Sequence, residues 1–92
     1  MTEVYTNDRQ MNRFEIAIDG EVVAWVEYEL EPGVIALNHT EVLPTFRGRG
    51  LADDVVAYAL SHARVGRMLV VPNCSFVATF IARNAEYQDL VA

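Results

Sequence analysis

The segment that most restricts the fold is residues 34–72, where a strand pattern, a helix pattern and a second strand pattern follow one another. VIALNHTEVLP is typical of a strand that Pro44 ends, because proline has no N–H to donate to a sheet ladder. LADDVVAYALSHARVG repeats apolar residues every three or four positions and closes on a glycine, which predicts an amphipathic helix. The short apolar run RMLVVP predicts a strand covered on both faces. This order predicts a right-handed crossover that joins two parallel strands.

A β-hairpin is predicted ahead of this crossover. Apolar and polar residues alternate through residues 13–18 and again through residues 21–30, as in strands with one buried face. Asp19 and Gly20, between the two runs, tolerate the positive φ angles of a tight turn. Pro32 and Gly33 form the next turn.

The two ends of the chain carry weaker patterns. Residues 1–12 are mostly polar and are predicted to form a loosely held arm. SFVATFIARN places apolar residues at helical spacing, with Ser75 as the predicted N-cap. We therefore predict a single domain over residues 1–92, of the α/β (α+β) class, with a mixed sheet and the element order β-β-β-α-β-α.

The charge of the chain restricts its partners. The formal net charge is -6, and all seven basic residues are arginines. An acidic protein has no general affinity for nucleic acid, so we predict no nucleic-acid partner. The charge would attract an amine or a basic peptide, although solubility alone also explains it.

The cysteine count and the hydropathy pattern restrict the metal sites and the cellular location that we expect. Cys74, the single cysteine, can form neither an internal disulfide nor a thiolate zinc cluster, and we predict no metal site. No apolar segment has the length of a membrane span, and the polar start MTEVYTNDRQMNR does not resemble a signal peptide. We therefore expect a cytoplasmic protein without a membrane partner.

The loop TFRGRG, between the third predicted strand and the helix, is the strongest candidate for a binding site. The first N–H groups of a helix have no intrahelical acceptor, and the helix dipole is positive at that end, so an anion is favoured there. Gly48 and Gly50 leave these groups uncovered, and Arg47 and Arg49 add positive charge. The loop is neither a P-loop nor a dinucleotide fingerprint, and a simple glycine turn before a helix remains the alternative.

A family resemblance rests on this loop and on two further segments. RGRGLA resembles the Arg/Gln-x-x-Gly-x-Gly/Ala signature of the Gcn5-related N-acetyltransferases. HTEVLPTFRGRGLA, VVPNCSFVATFI and EYQDLV are together similar to the very small single-domain branch of that superfamily, over about residues 13–91. The resemblance implies an acetyl-CoA-binding fold in which the ligand lies where two parallel strands splay apart.

The resemblance also implies which residues contact acetyl-CoA. The backbone of Arg47 to Ala52 would face the pyrophosphate, and the backbone of Val42 and Leu43 would run beside the pantetheine arm. Asn73 joins this set because it follows the strand RMLVVP, at the sheet edge where the loop TFRGRG also lies. The predicted cofactor-binding residues are Val42, Leu43, Arg47, Gly48, Arg49, Gly50, Leu51, Ala52 and Asn73.

Three side chains are candidates for catalysis. Cys74 lies just ahead of a helix whose N-terminus would lower the pKa of a thiol. Similar small acetyltransferases have a cysteine near the acyl sulfur at this position, where it accepts the acetyl group, positions it, or only packs. His39 and Glu41 are two residues apart on a strand and therefore share a face, where they are either a base with its orienting carboxylate or purely structural.

Two hypotheses follow for the function. The first is an N-acetyltransferase that moves an acetyl group from acetyl-CoA to a primary amine, in a small molecule or a protein lysine, acting as a monomer or weak homodimer. The second is a non-catalytic acyl-CoA-binding or protein-interaction module. Nucleic-acid binding through the RGRG segment is opposed by the net charge.

Overall fold

The computed structural model describes residues 2–92 as one mixed five-stranded sheet with helices packed on one face. The elements are β1 (Glu3–Asp8), β2 (Arg13–Ile18), β3 (Glu21–Glu31), β4 (Val34–Val42), a 3₁₀ turn (Pro44–Phe46), α1 (Leu51–Val65), β5 (Leu69–Pro72), α2 (Ser75–Arg83) and a second 3₁₀ segment (Ala85–Leu90).

The strands lie in the order of the chain, β1-β2-β3-β4-β5. The first three neighbouring pairs are antiparallel, and β4 and β5 are parallel, in register from Val34 opposite Leu69 to Leu37 opposite Pro72. The strand–helix–strand crossover predicted from the sequence, and the α/β fold class, are therefore confirmed.

The predicted element order lacks one strand. The loosely held arm predicted for residues 1–12 is wrong over Glu3–Asp8, which forms β1 and pairs with β2 from Glu3 opposite Ile18 to Asp8 opposite Arg13. This edge strand is mostly exposed, with Val4 and Tyr5 both open to solvent. Because no face of β1 is fully buried, its sequence carries no clear alternation of apolar and polar residues. Residue 1 lies outside the described residues.

The core lies between one face of the sheet and the helices. Strands β2, β3 and β4 direct alternate apolar side chains at α1, and these pack against apolar residues of α1 that are spaced three or four apart. Helix α2 packs beside α1 on the same side, against β4 and β5. The fully buried side chains of this layer include Phe14, Ile16, Val26, Ile35, Leu37, Val55, Val56, Leu60, Val70 and Val77.

No helix of residues 2–92 lies on the opposite face of the sheet. Strand β5 is an edge strand, and Leu69 is 46% exposed, so the prediction of a strand covered on both faces is wrong. Val70 is buried beneath the helices, and its carbonyl accepts from the N–H of Ala92, so the end of the chain lies along the outer edge of β5. In the described part of the chain, no helix is long and apolar enough to cross a membrane.

Candidate functional site

The site begins where the two parallel strands part. Pairing between β4 and β5 stops at Leu37 and Pro72, and the N–H of Cys74 donates to the Leu37 carbonyl at 3.0 Å. Beyond this point β4 continues to Val42 while the chain after β5 turns into α2. The carboxyl ends of the parallel strands therefore open into a cleft, the place where open α/β sheets bind ligands.

The glycine loop brings the start of α1 to this cleft. Gly48 (φ 81°) and Gly50 (φ 78°) both adopt left-handed backbone, which favours glycine over any other residue. Gly50 is the N-cap of α1, and no side chain in the described part of the chain caps the helix. The N–H groups of Leu51, Ala52 and Asp53 in the first turn therefore have no intrahelical acceptor, and the positive end of the helix dipole lies beside them. Such a terminus is suited to binding phosphate.

A cavity of about 230 Å³ lies in front of this helix terminus. Its lining includes Val42, Arg47, Gly48, Gly50, Leu51 and Ala52, all of which the sequence predicts as cofactor-binding residues. The remaining lining residues are Phe46, Asp53 and Phe76. The sequence gives no signal for the two phenylalanines, because their apolar character equally suits the core.

Arg47 is held against the end of β4. Its Nε donates to the Val42 carbonyl at 3.1 Å, and its Nη2 donates to Oε2 of Glu41 at 3.3 Å. The positive charge that Arg47 is predicted to add to the glycine loop is therefore partly balanced by the Glu41 carboxylate. Arg49 lies outside the cavity lining and stacks over the Phe46 ring at 4.9 Å, so its guanidinium is also engaged within the loop.

His39 and Glu41 share the helix-free face of the sheet, as the strand spacing predicts. Nε2 of His39 lies 3.1 Å from Oε1 of Glu41, and the imidazole is half exposed. The hydrogen bond to His39 holds the pKa of the Glu41 carboxyl below its usual value; partial burial opposes this, and the Arg47 guanidinium adds to it. Glu41 therefore stays ionised at neutral pH and can orient the imidazole.

Cys74 lies on the other side of the cleft, at the N-cap of α2. The predicted N-cap, Ser75, is instead the first helical residue. The Cys74 Sγ lies 3.5 Å from Oγ1 of Thr40 across the parted strands. Burial raises the pKa of this thiol, but the hydroxyl of Thr40 and the N–H groups of Val77, Phe76 and Thr40 outweigh it, so the pKa lies below its ordinary value.

Thr40 is a site residue that the sequence did not single out. It lies between His39 and Glu41 in the chain but points to the opposite face of β4, toward Cys74. A register shift between Glu27 and Tyr28 places it opposite Val26. Simple alternation along β4 does not reveal this irregularity, so the contact with Cys74 is a finding of the structure.

Besides Arg49, two more of the predicted cofactor-binding residues, Leu43 and Asn73, lie apart from the cavity. The N–H of Leu43 donates to the Val23 carbonyl at 2.8 Å and is therefore committed to β3. Asn73 lies next to the cleft, where its Nδ2 donates to Oδ1 of Asn38 at 2.9 Å. Neither residue lines the cavity at the start of α1.

The two aspartates in the first turn of α1 differ in their surroundings. Asp53 is exposed and is one of the residues that line the cavity, and its negative charge would oppose an anion bound there. Asp54 is directed toward β1, where partial burial and then the charges of Glu3 and Asp53 raise its pKa.

A second cavity, of about 400 Å³, lies at the other end of α1. Its lining includes Tyr28, His62 and Met68. The His62 ring packs on Phe14 and Tyr58, with centroids 5.2 Å and 4.8 Å away. This cavity is remote from the parted strands and contains none of the predicted site residues.

Parallel strands that part beside an uncapped, glycine-lined helix terminus define an α/β fold with free backbone N–H groups at the mouth of a cleft. A family model described as GCN5-related N-acetyl-transferase matches residues 13–90, and the chain belongs to this family. The match agrees with the resemblance seen in the sequence, and it supports N-acetyltransferase activity.

Solved structures share the fold. A GCN5-like protein from Staphylococcus aureus matches with a TM-score of 0.74 and 22% identity over 97% of this chain and 87% of its own. The ribosomal-protein-S18-alanine N-acetyltransferase from Escherichia coli matches with a TM-score of 0.65 and 13% identity, over 91% of this chain and 54% of its own. Ard1 from Thermoplasma volcanium matches with a TM-score of 0.62 and 17% identity, over 83% and 56%. This chain therefore spans about half the length of the latter two.

Proposed function

We propose that the protein transfers an acetyl group from acetyl-CoA to a primary amine. The observation that carries this proposal is the uncapped start of α1, which opens onto a cavity beside the parted strands β4 and β5. Family membership supplies the class of reaction. The proposal goes beyond family membership in naming acetyl-CoA as the acetyl donor and a primary amine as the acceptor.

The residues around the cleft fit acetyl-CoA. The pyrophosphate would be bound by the N–H groups of the loop from Gly48 to Ala52, which lack intrahelical acceptors. The pantetheine arm would lie along β4 beyond Leu37, where β5 no longer pairs with it. Arg47, anchored by Glu41 and the Val42 carbonyl, would fix one wall of the cavity rather than reach freely for the phosphates.

The amine acceptor must lose a proton before it attacks the thioester carbonyl. In this proposal His39 accepts the proton, and Glu41, 3.1 Å from its Nε2, orients the ring and stabilises the cation that forms. Replacing His39 with Ala should lower the turnover number by about 10²-fold or more, as for other general bases. Glu41→Gln should lower it less. Unchanged turnover in both variants would show that this assignment is wrong.

Cys74 allows a two-step route. Its thiolate attacks the thioester carbonyl, and the CoA thiolate leaves and takes up a proton. The amine then attacks the acetyl carbonyl on Cys74, the C–S bond breaks to release the Cys74 thiolate, and the nitrogen gives up a proton to form the amide. The lowered pKa of the thiol and its contact with Thr40 support this variant. Mass spectrometry of acid-quenched protein after exposure to acetyl-CoA should show an acetyl group on the peptide that contains Cys74. If no adduct is trapped, the amine attacks acetyl-CoA directly and Cys74 only positions it.

The second candidate function is acyl-CoA binding without turnover. It is favoured by the absence of any helix over one face of the sheet among residues 2–92, which leaves an acceptor without an enclosed pocket. A thiol-release assay with acetyl-CoA and a panel of amines separates the two functions. Release of CoA that depends on the amine supports the enzyme, whereas calorimetric binding without release supports the module. The cytoplasmic location and the state of monomer or weak homodimer stay predictions.

A further inference from the structure

The helix-free face of the sheet carries a row of acidic side chains. Glu27, Glu29 and Glu31 occupy alternate positions of β3 and therefore point to the same side, all exposed. None of the three forms an ion pair with any arginine or histidine of residues 2–92. Neighbouring members of the row are about 6.6 Å apart along the strand, so their charges repel one another.

The floor beside this row is aliphatic. Val34 and Ala36 of β4 and Val71 of β5 line a shallow depression of about 260 Å³, with Glu29 and Glu31 on one side. The depression reaches Asn38 and Asn73, whose side chains are joined by a hydrogen bond. Cys74 is the next residue, so the floor runs up to the cleft where the acetyl group would be transferred.

The face already shows how it accommodates a cation. Arg13 lies over the Trp25 ring, with its guanidinium carbon 4.8 Å from the centroid, and its Nε donates to Glu15. The Trp25 indole donates in turn to Glu27 at 3.1 Å. A cation stacked on an aromatic ring beside carboxylates is a favourable arrangement. Arg13 and His39 stand opposite Glu27 on the neighbouring strands, and Asn38 donates to Glu29 at 2.9 Å. Within residues 2–92, Glu29 and Glu31 form no ion pair.

We infer that this face docks an extended, lysine-containing segment of an acceptor protein; the inference rests on the proposed function and names the acceptor. Alternate side chains of an extended chain are about 6.6 Å apart, which matches the spacing of the acidic row. The methylene stems of lysines fit the aliphatic floor, and their ammonium groups face the carboxylates. A segment with several cations contacts several carboxylates at once, whereas a free small amine on this open face remains largely hydrated.

The test is the binding of a fluorescent peptide, measured by anisotropy without acetyl-CoA. The probe alternates lysine with small residues, and its matched control carries glutamine at every lysine. In the protein, E27Q/E29Q/E31Q removes the row, and E3Q/E21Q/E86Q removes the same charge from exposed positions off this face. We expect the lysine peptide to bind, the row variant to weaken it by about tenfold, and the control variant to change it less than about twofold. Added salt should weaken binding to the unaltered protein.

Several outcomes would overturn the inference. The lysine peptide fails to bind, or the glutamine peptide binds equally well. Equal losses of affinity in the two triple variants would show that only the net charge of the protein matters. Complete competition by spermidine at matched charge would assign the face to a small polyamine instead. Because acetyl-CoA is absent from the assay, a separate calorimetric titration with acetyl-CoA shows whether the proposed function fails independently of the docking surface.

Discussion

Gly50→Glu should weaken acetyl-CoA binding without unfolding the protein. Gly50 has a φ of 78°, and a Cβ added there would meet no atom within 4 Å. The substitution therefore costs only the left-handed backbone strain, roughly 1–2 kcal/mol. For a domain of this size, that corresponds to a decrease in melting temperature of about 4–16 °C.

The effect on binding comes from the added charge. A carboxylate about 5 Å from one phosphate charge costs about 0.8 kcal/mol at the dielectric constant of water and about 3 kcal/mol at an effective constant of about 20. These values correspond to a loss of affinity between about 4-fold and 200-fold. Calorimetric titration with acetyl-CoA measures this loss of affinity.

The matched control is Gly33→Glu. Gly33 has a φ of 74°, also has no atom within 4 Å of an added Cβ, and lies at the opposite end of β4 from the glycine loop. Both variants change the formal net charge from -6 to -7 and should lose similar stability. If Gly33→Glu weakens acetyl-CoA binding as much as Gly50→Glu, or if Gly50→Glu binds normally, the start of α1 is not the phosphate site.

Three further predictions follow from the geometry. The rate at which iodoacetamide alkylates Cys74 should rise with pH, with a midpoint below that of a cysteine in a free peptide. Thr40→Val should move this midpoint to higher pH, because the Thr40 hydroxyl contacts the thiol. An unchanged midpoint would show that the hydroxyl does not stabilise the thiolate. In an NMR titration, the pKa of the Glu41 carboxyl should lie below that of free glutamate. The stability that Glu41 contributes is therefore present above the pKa of the unfolded state and is lost as the pH falls through the pKa of the folded state. His39→Gln should raise the folded-state pKa of Glu41, and an unchanged pKa would refute the coupling of the two side chains. Leu60→Ala, at a fully buried position of α1, should lower the free energy of unfolding by about 2–5 kcal/mol in urea, and a loss below about 1 kcal/mol would contradict its place in the core.

The sequence predicts the parallel crossover well because its signals are local. The change from alternation in β4 to helical spacing in α1, with two glycines between them, fixes where the strand stops and the helix starts. The same signals predict that His39 and Glu41 share a face, which the 3.1 Å contact confirms. Strand β1 escapes prediction because it is exposed at the edge of the sheet, where burial leaves no pattern in the sequence.

The parts of the site that the sequence misses depend on long-range register. Thr40 meets Cys74 because of an irregularity in the pairing of β3 with β4, and the two residues are 34 positions apart in the chain. Arg47 folds back on Glu41 and the Val42 carbonyl, although its position in the loop equally suits a phosphate contact. Such choices between partners depend on three-dimensional neighbours and not on spacing.

The most direct test of acetyl-CoA binding at the glycine loop is an NMR titration of ¹⁵N-labelled protein with acetyl-CoA. The account predicts that the largest amide shifts fall on Gly48, Gly50 and Ala52, with a second group at Cys74 on the other side of the cleft. The result that would contradict it is an absence of shifts, or shifts confined to the larger cavity around His62 at the far end of α1.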